Sequence, residues 1–160
     1  MPVDPTVPGL AAGAPAQPAS PPAPAYRLEE QVGHLMRRAH QRHTAIFQDG
    51  LGDCDLTPTQ FAALAKIKEL GKVTQNLLGR HTAMDPATIQ GVVQRLQARG
   101  LIHRKLDPAD RRVTLLSLTD PGAELAERAI ARAREVTRAT LEPLDAAERA
   151  QLIELLRKLS

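Results

Sequence analysis

Apolar residues recurring every three or four positions over most of the 160 residues, one pair of β-prone runs joined by a basic turn, and almost no aromatic side chains predict a mainly α protein with a small β-hairpin wing. With two Phe, one Tyr and no Trp, the core must be aliphatic, which suits packed helices better than a sandwich. Helix, short helix, helix and hairpin follow one another between residues 57 and 118, the order of a winged helix-turn-helix. The helices on either side, 26–50 and 119–160, are predicted to form a helical dimerisation domain, so that 26–160 is one domain.

Residues 1–25 hold eight of the 13 prolines and scarcely a large apolar side chain. Such a segment cannot bury enough surface to offset its ordering entropy, so a disordered tail is expected. A long helix is predicted over 26–49, where Leu28, Val32, Leu35, Met36, Ala39, Ile46 and Phe47 form one stripe. Met36, His40, His43 and Phe47 share a face of it, which suits either a core with two satisfied histidines or the wall of a small-molecule pocket. A loop is expected over 50–56. Thr57-Pro58-Thr59-Gln60 then combines an N-cap, a first-turn proline and a capping box, opening a helix with Phe61, Leu64, Ala65, Ile67 and Leu70 inward and Gly71 at its end.

A shorter helix over 74–81 is expected to turn Leu77 and Leu78 inward. Asp85-Pro86 repeats the cap-plus-proline start, and Ile89, Val92, Val93 and Leu96 form the buried stripe of the helix that follows. Ala87, Thr88, Gln90, Gly91, Gln94 and Arg95 are left pointing outward, small and polar groups that suit insertion into a major groove. Gly91 costs about 1 kcal/mol in mid-helix, which points to close packing or to close approach of DNA. The runs 101–106 and 113–118 form a hairpin tipped by Arg111 and Arg112. Helices capped by Thr119 and by Asp145 with Glu148 complete the chain, the last with a wide apolar face of Leu152, Ile153, Leu155, Leu156 and Leu159.

Charge follows the same division. Residues 71–112 carry +5 of a total of +3, leaving the remainder at −2. A positive segment on a nearly neutral body is the electrostatic footprint of a nucleic-acid binder. The single Cys54 excludes an internal disulfide and any Cys-x-x-Cys pair, and no cofactor site is legible. Without an apolar run of membrane-spanning length or a signal-peptide pattern, a cytoplasmic, non-membrane protein is expected. No nucleophile–base pair or phosphate-cradling loop appears, so an enzyme is not expected.

The motif Asp107-Pro108-Ala109-Asp110-Arg111-Arg112, followed by Leu118-Thr119 and Gly122 and preceded by Gly100-Leu101, resembles the wing signature of the MarR family of bacterial transcription regulators, over 26–160. That resemblance implies a homodimer on an inverted-repeat operator in double-stranded DNA. It makes 85–99 the recognition helix, Arg112 the minor-groove arginine of the wing, and Thr74 and Gln75 further DNA contacts. It also implies a pocket for a small aromatic carboxylate between the dimerisation helices and the reader. Two departures stand out. Gln94 replaces the acidic residue that braces the wing arginine in many relatives, and Gly91 replaces a basic one. Within the family, residues 31–47 are similar to the first helix of regulators that repress nicotinate-degradation genes. This implies a hydroxylated nicotinate such as 6-hydroxynicotinate as effector, met by Arg38, His40 or His43 beside Met36, Phe47 and Phe61. The alternative is a metal- or redox-responsive regulator using His34, His40 and His43 with Asp53, Cys54 and Asp55.

Overall fold

A computed structural model of the chain describes residues 25–160, so the predicted tail, Ala25 apart, lies outside the described residues. Six α-helices follow in order: α1 (Val32–Leu51), α2 (Pro58–Leu70), α3 (Gln75–His81), α4 (Pro86–Ala98), α5 (Asp120–Thr140) and α6 (Ala146–Leu159). Three strands, β1 (Val73–Thr74), β2 (Ile102–Leu106) and β3 (Thr114–Leu118), form one antiparallel sheet in the order β1-β3-β2. The fold is the expected winged helix-turn-helix, with α2, α3 and α4 against the sheet, α5 packed on α2 and β3, α1 packed along α5, and α6 beyond.

The helix starts obey their caps. Thr57 and Gln60 form a reciprocal capping box on α2, and Asp145 and Glu148 form another on α6. The Asp85 carboxylate accepts from the Ala87 and Thr88 amides at 3.0 Å on α4, and the Thr119 hydroxyl accepts from Gly122 on α5. Fully buried Leu64, Ile67, Leu78, Ile89, Val92, Val93, Leu96 and Leu116 close an aliphatic core between α2, α3, α4 and β3. Phe47 and Leu51 from the end of α1 and Leu125, Ala126, Ala129 and Val136 from α5 continue it.

Several expectations shift. The first helix begins at Val32, after a single 3-10 turn at Leu28–Glu30, and runs through Leu51 into another at Gly52–Cys54, so part of the expected loop is helical. β1 is two residues long, too short for any periodicity, and is made a strand by pairing Val73 with Leu116. Leu77 is exposed while Leu78 is buried, because a seven-residue helix presents only one narrow face to the core. Leu70, expected inward, is also exposed at the last residue of α2.

The two halves of the family-like motif meet in space. The Thr119 hydroxyl donates to the Gly100 carbonyl at 2.7 Å, and the Thr119 amide donates to the Leu101 carbonyl at 3.1 Å. A Cβ on Gly122 would lie 1.9 Å from that same Leu101 oxygen, so only glycine fits. The end of α4 is thereby bolted to the start of α5.

Candidate nucleic-acid interface and ligand cavity

Pairing of β1 with β3 lays the start of α3 alongside the base of the wing. Thr74, Gln75 and Arg112 accordingly line one shallow groove, together with Asn76, Val113 and Thr114. Asn76 and Thr114 are candidate contacts that sequence reasoning passed over, since only the short β1 strand reveals their adjacency. Arg111 and Arg112 are both exposed. The Asp110 carboxylate accepts from the Arg112 backbone amide at 3.0 Å and from its Nε at 3.2 Å, so Arg112 is braced from within the wing.

On α4, Ala87, Thr88, Gln90, Gln94 and Arg95 are exposed and Gly91 is half-buried, as the apolar stripe requires. A Cβ on Gly91 would meet only the Arg95 side chain, at 3.6 Å, so close packing within the chain does not explain the glycine. The Thr88 hydroxyl donates to Asp85, which holds the Asp85 carboxyl below the ordinary carboxylate range. Arg99, counted in the basic segment, is committed elsewhere. It donates to the Asp55 and Cys54 carbonyls at 2.5 and 3.4 Å, tying the end of α4 to the turn before α2.

A second feature lies where α1, α2 and α5 meet. His43, Phe47, Pro58, Phe61, Ala133, Val136 and Thr137 line a cavity of about 260 Å³. Its walls are apolar apart from His43 and Thr137, and the Phe47 and Phe61 rings pack edge to face with centroids 5.8 Å apart. Of the pocket residues expected from sequence, His43, Phe47 and Phe61 are here, while Met36, Arg38 and His40 are not. Arg38 and His40 are exposed one to two turns back along α1, and Met36 faces a separate apolar groove beside Ile153 and Leu156 of α6. The α5 contribution of Ala133, Val136 and Thr137 was missed because it depends on how α5 crosses α1, which Gly50 permits: a Cβ there would come within 2.6 Å of Val136.

The alternative sensor set does not assemble. Cys54 is buried in the core, Asp53 pairs with Arg132, Asp55 with Arg99, and His34 contacts Arg37. Among the described residues no three His, Cys, Asp or Glu side chains converge on a point that would hold a metal ion. No described helix is long and apolar enough to cross a membrane.

The MarR family profile matches residues 55–113, from the turn before α2 through β2 and the tip of the wing. Over 134 residues, 84% of this chain and 85% of the relative, the sequence is 45% identical to the HTH-type transcriptional repressor NicR of Pseudomonas putida. The chain belongs to the MarR family. Two solved structures agree with that placement at the level of the whole fold. A probable transcriptional regulator from Pseudomonas aeruginosa is 49% identical, with a TM-score of 0.80 over 84% of this chain and all of the other. Bordetella bronchiseptica BpsR, whose DNA binding is regulated by 6-hydroxynicotinic acid, is 43% identical, with a TM-score of 0.81 over 85% of this chain and 97% of its own. Family membership makes this chain a transcription regulator, and the likeness to BpsR lies in the subgroup that residues 31–47 had suggested.

Proposed function

We propose that the protein is a homodimeric repressor that binds an inverted-repeat operator and releases it on binding a small aromatic carboxylate, with 6-hydroxynicotinate as the effector to test first. The carrying observation is the place of the cavity: Pro58 and Phe61 belong to the reader, whereas His43, Phe47, Ala133, Val136 and Thr137 belong to the flanking helices. A ligand wedged there changes the angle between the two and hence the spacing of the paired readers. Its volume falls just under the roughly 300 to 1,000 Å³ of drug-sized sites, which suits a single-ring ligand. The NicR and BpsR likenesses support the same reading.

The exposed apolar residues at the two ends of the chain, Leu28, Val32, Leu35 and Met36 with Ile153, Leu155, Leu156 and Leu159, are the proposed dimer surface. A two-fold pair of recognition helices meets successive major grooves, so half-sites about 10 bp apart are expected. Arg112 contacts backbone and minor groove, Gln90 and Thr88 read base edges, and Arg95, Gln94, Thr74, Gln75 and Arg111 fix the register. Gly91 lets α4 approach the groove floor. The chain's relatives are named transcription regulators, which supports reading the protein as a regulator rather than an enzyme.

A gel-shift titration on the DNA upstream of its own gene, with and without 6-hydroxynicotinate at fixed salt, tests the reading. Specific binding released by the compound supports it; specific binding indifferent to the compound removes the effector, and absence of specific binding removes the repressor. In the same assay Arg112→Ala is expected to weaken binding to operator and random DNA alike and to lower the salt slope by about one. Gln90→Ala is expected to shift preference among operators, by about 1 to 3 kcal/mol at the affected base pair. Equal losses on both DNAs for both variants would refute that division.

A further inference from the structure

Two hydrogen bonds together favour one placement of the hydrogens on His43. The Thr140 hydroxyl donates its single hydrogen to the Val136 carbonyl at 2.8 Å, so toward His43 Nδ1, 3.0 Å away, its oxygen acts as an acceptor. Nδ1 therefore carries a hydrogen, and in the neutral ring Nε2 is a bare acceptor. The other polar wall of the cavity behaves alike: the Thr137 hydroxyl donates to the Ala133 carbonyl at 3.0 Å, leaving lone pairs only. While His43 is neutral, the side chains lining the cavity present acceptors and no donor. A carboxylate is itself an acceptor, so it meets no partner there until Nε2 gains a proton.

We propose that an effector carboxylate binds this cavity with uptake of one proton at His43 Nε2, and that Thr140 is the positioning residue that commits Nδ1 and leaves Nε2 to read the ligand. The inference rests on the proposed reading of the cavity as the effector site. The proton comes from solvent, one N–H bond forms, and the resulting imidazolium pairs with the carboxylate in an otherwise apolar pocket, where a charge-assisted bond is strong. Among the described residues no other charged side chain lines the cavity: α2 presents Pro58 and Phe61, α5 presents Ala133, Val136 and Thr137, and α1 adds Phe47. Arg42 on α1, Glu135 and Arg138 on α5, and Glu142 in the turn after α5 line a separate groove. There Arg42 donates to the Ala139 and Thr140 carbonyls and Arg138 pairs with Glu135, while His40, one turn back, is exposed.

The test is calorimetric titration of the full chain with 6-hydroxynicotinate and, separately, with its uncharged amide, 6-hydroxynicotinamide, from about pH 6 to 8.5 in buffers of different ionisation heat. The expected result for the acid is affinity that falls as pH rises, toward tenfold per pH unit, with close to one proton taken up per site. The amide, which has an N–H to offer the neutral ring, is expected to bind without that uptake. Thr140→Ser should retain the behaviour. Thr140→Val should flatten the pH profile, because a neutral ring freed at Nδ1 can carry its hydrogen at Nε2. Carboxylate binding of constant affinity with no buffer dependence in the unaltered chain overturns the proposal and leaves the cavity reading standing. Undiminished proton uptake in a folded His43→Gln variant does the same. Binding of neither compound at any pH overturns the cavity reading itself, and the proposal with it.

Discussion

The reader and the flanking helices are built from the same aliphatic residues, yet one is finished within a single chain and the other is not. In the reader every long apolar stripe finds a partner: Leu64 and Ile67 of α2, Leu78 of α3, Ile89, Val92, Val93 and Leu96 of α4, and Leu116 of β3 are all fully buried. Along α1 only Phe47 and Leu51, at its very end, are buried, and α6 buries no residue at all. Monomeric proteins rarely leave large contiguous apolar surface, so the contrast separates residues that hold the fold from residues that the proposed dimer would cover. It also explains why the cavity sits where it does, at the seam where the finished part meets the unfinished one.

The largest effect that would sharpen this contrast lies at the seam itself. Gly122→Ala places a Cβ within 1.9 Å of the Leu101 carbonyl, which is backbone and cannot step aside. A loss of about 3 kcal/mol or more, or failure to fold, is expected, read as a thermal melt. An unaltered melt would mean that α5 can separate from the reader at no cost.

Next come two leucine substitutions that should behave differently. Leu96→Ala, in the closed core, is expected to cost about 2 to 5 kcal/mol whatever the protein concentration. Leu156→Asp, in the groove it shares with Met36, should leave the reader folded and shift the sedimentation coefficient to that of a monomer at micromolar concentration. Should Leu156→Asp sediment unchanged, the apolar ends are not the dimer surface; should it unfold the reader, the two regions are not separable.

The same contrast governs what could be read in advance. The caps at Thr57, Asp85, Thr119 and Asp145 and the stripe of α4 were legible because a cap or a stripe is decided by residues within one turn or two of each other. β1 was not, since Val73 and Thr74 become a strand only through β3, some 40 residues on. The cavity was half legible: His43, Phe47 and Phe61 share helical faces pointing toward it, but Arg38 and His40 were assigned by their chemistry alone. Their exposure follows from the turn of α1 on which they sit, and the α5 wall depends on a helix crossing that no local pattern encodes. Arg99 shows the converse: counted in the basic segment by composition, it donates to two carbonyls of the chain.

Acid offers a gentler probe of both sides of the seam. The Asp85 carboxyl is held low by the Thr88 hydroxyl and by backbone amides within the reader. The Glu127 carboxyl is held low by its hydrogen bond to Lys68, 2.8 Å away, which joins α5 to α2. In both, the folded value lies below the unfolded one, so the contribution is present above the ordinary carboxylate titration and is lost as pH falls through the lowered value. Stability should therefore fall below about pH 4, the range in which free carboxyls titrate. Asp85→Asn keeps an amide that also caps well, so it should match the parent near neutrality and lose part of the acid slope. An unchanged slope would show that Asp85 titrates alike in the folded and unfolded chain.

The smallest effect concerns the turn between α3 and α4. Ala83 has φ of +52°, the left-handed region that costs an L-residue about 1 to 2 kcal/mol. Met84 nonetheless donates its amide to the Gly79 carbonyl at 2.9 Å across that turn, so the conformation is imposed by the hydrogen bond that closes it. Ala83→Gly relieves the strain but enlarges the unfolded ensemble by about 0.4 to 1 kcal/mol, leaving a net gain of roughly 0.5 kcal/mol. Because Ala83 lies in the reader, that gain should appear as a higher melting temperature with no change in association. A gain that depended on protein concentration would mean that the reader and the association surface respond as one body, and the division between them would fall.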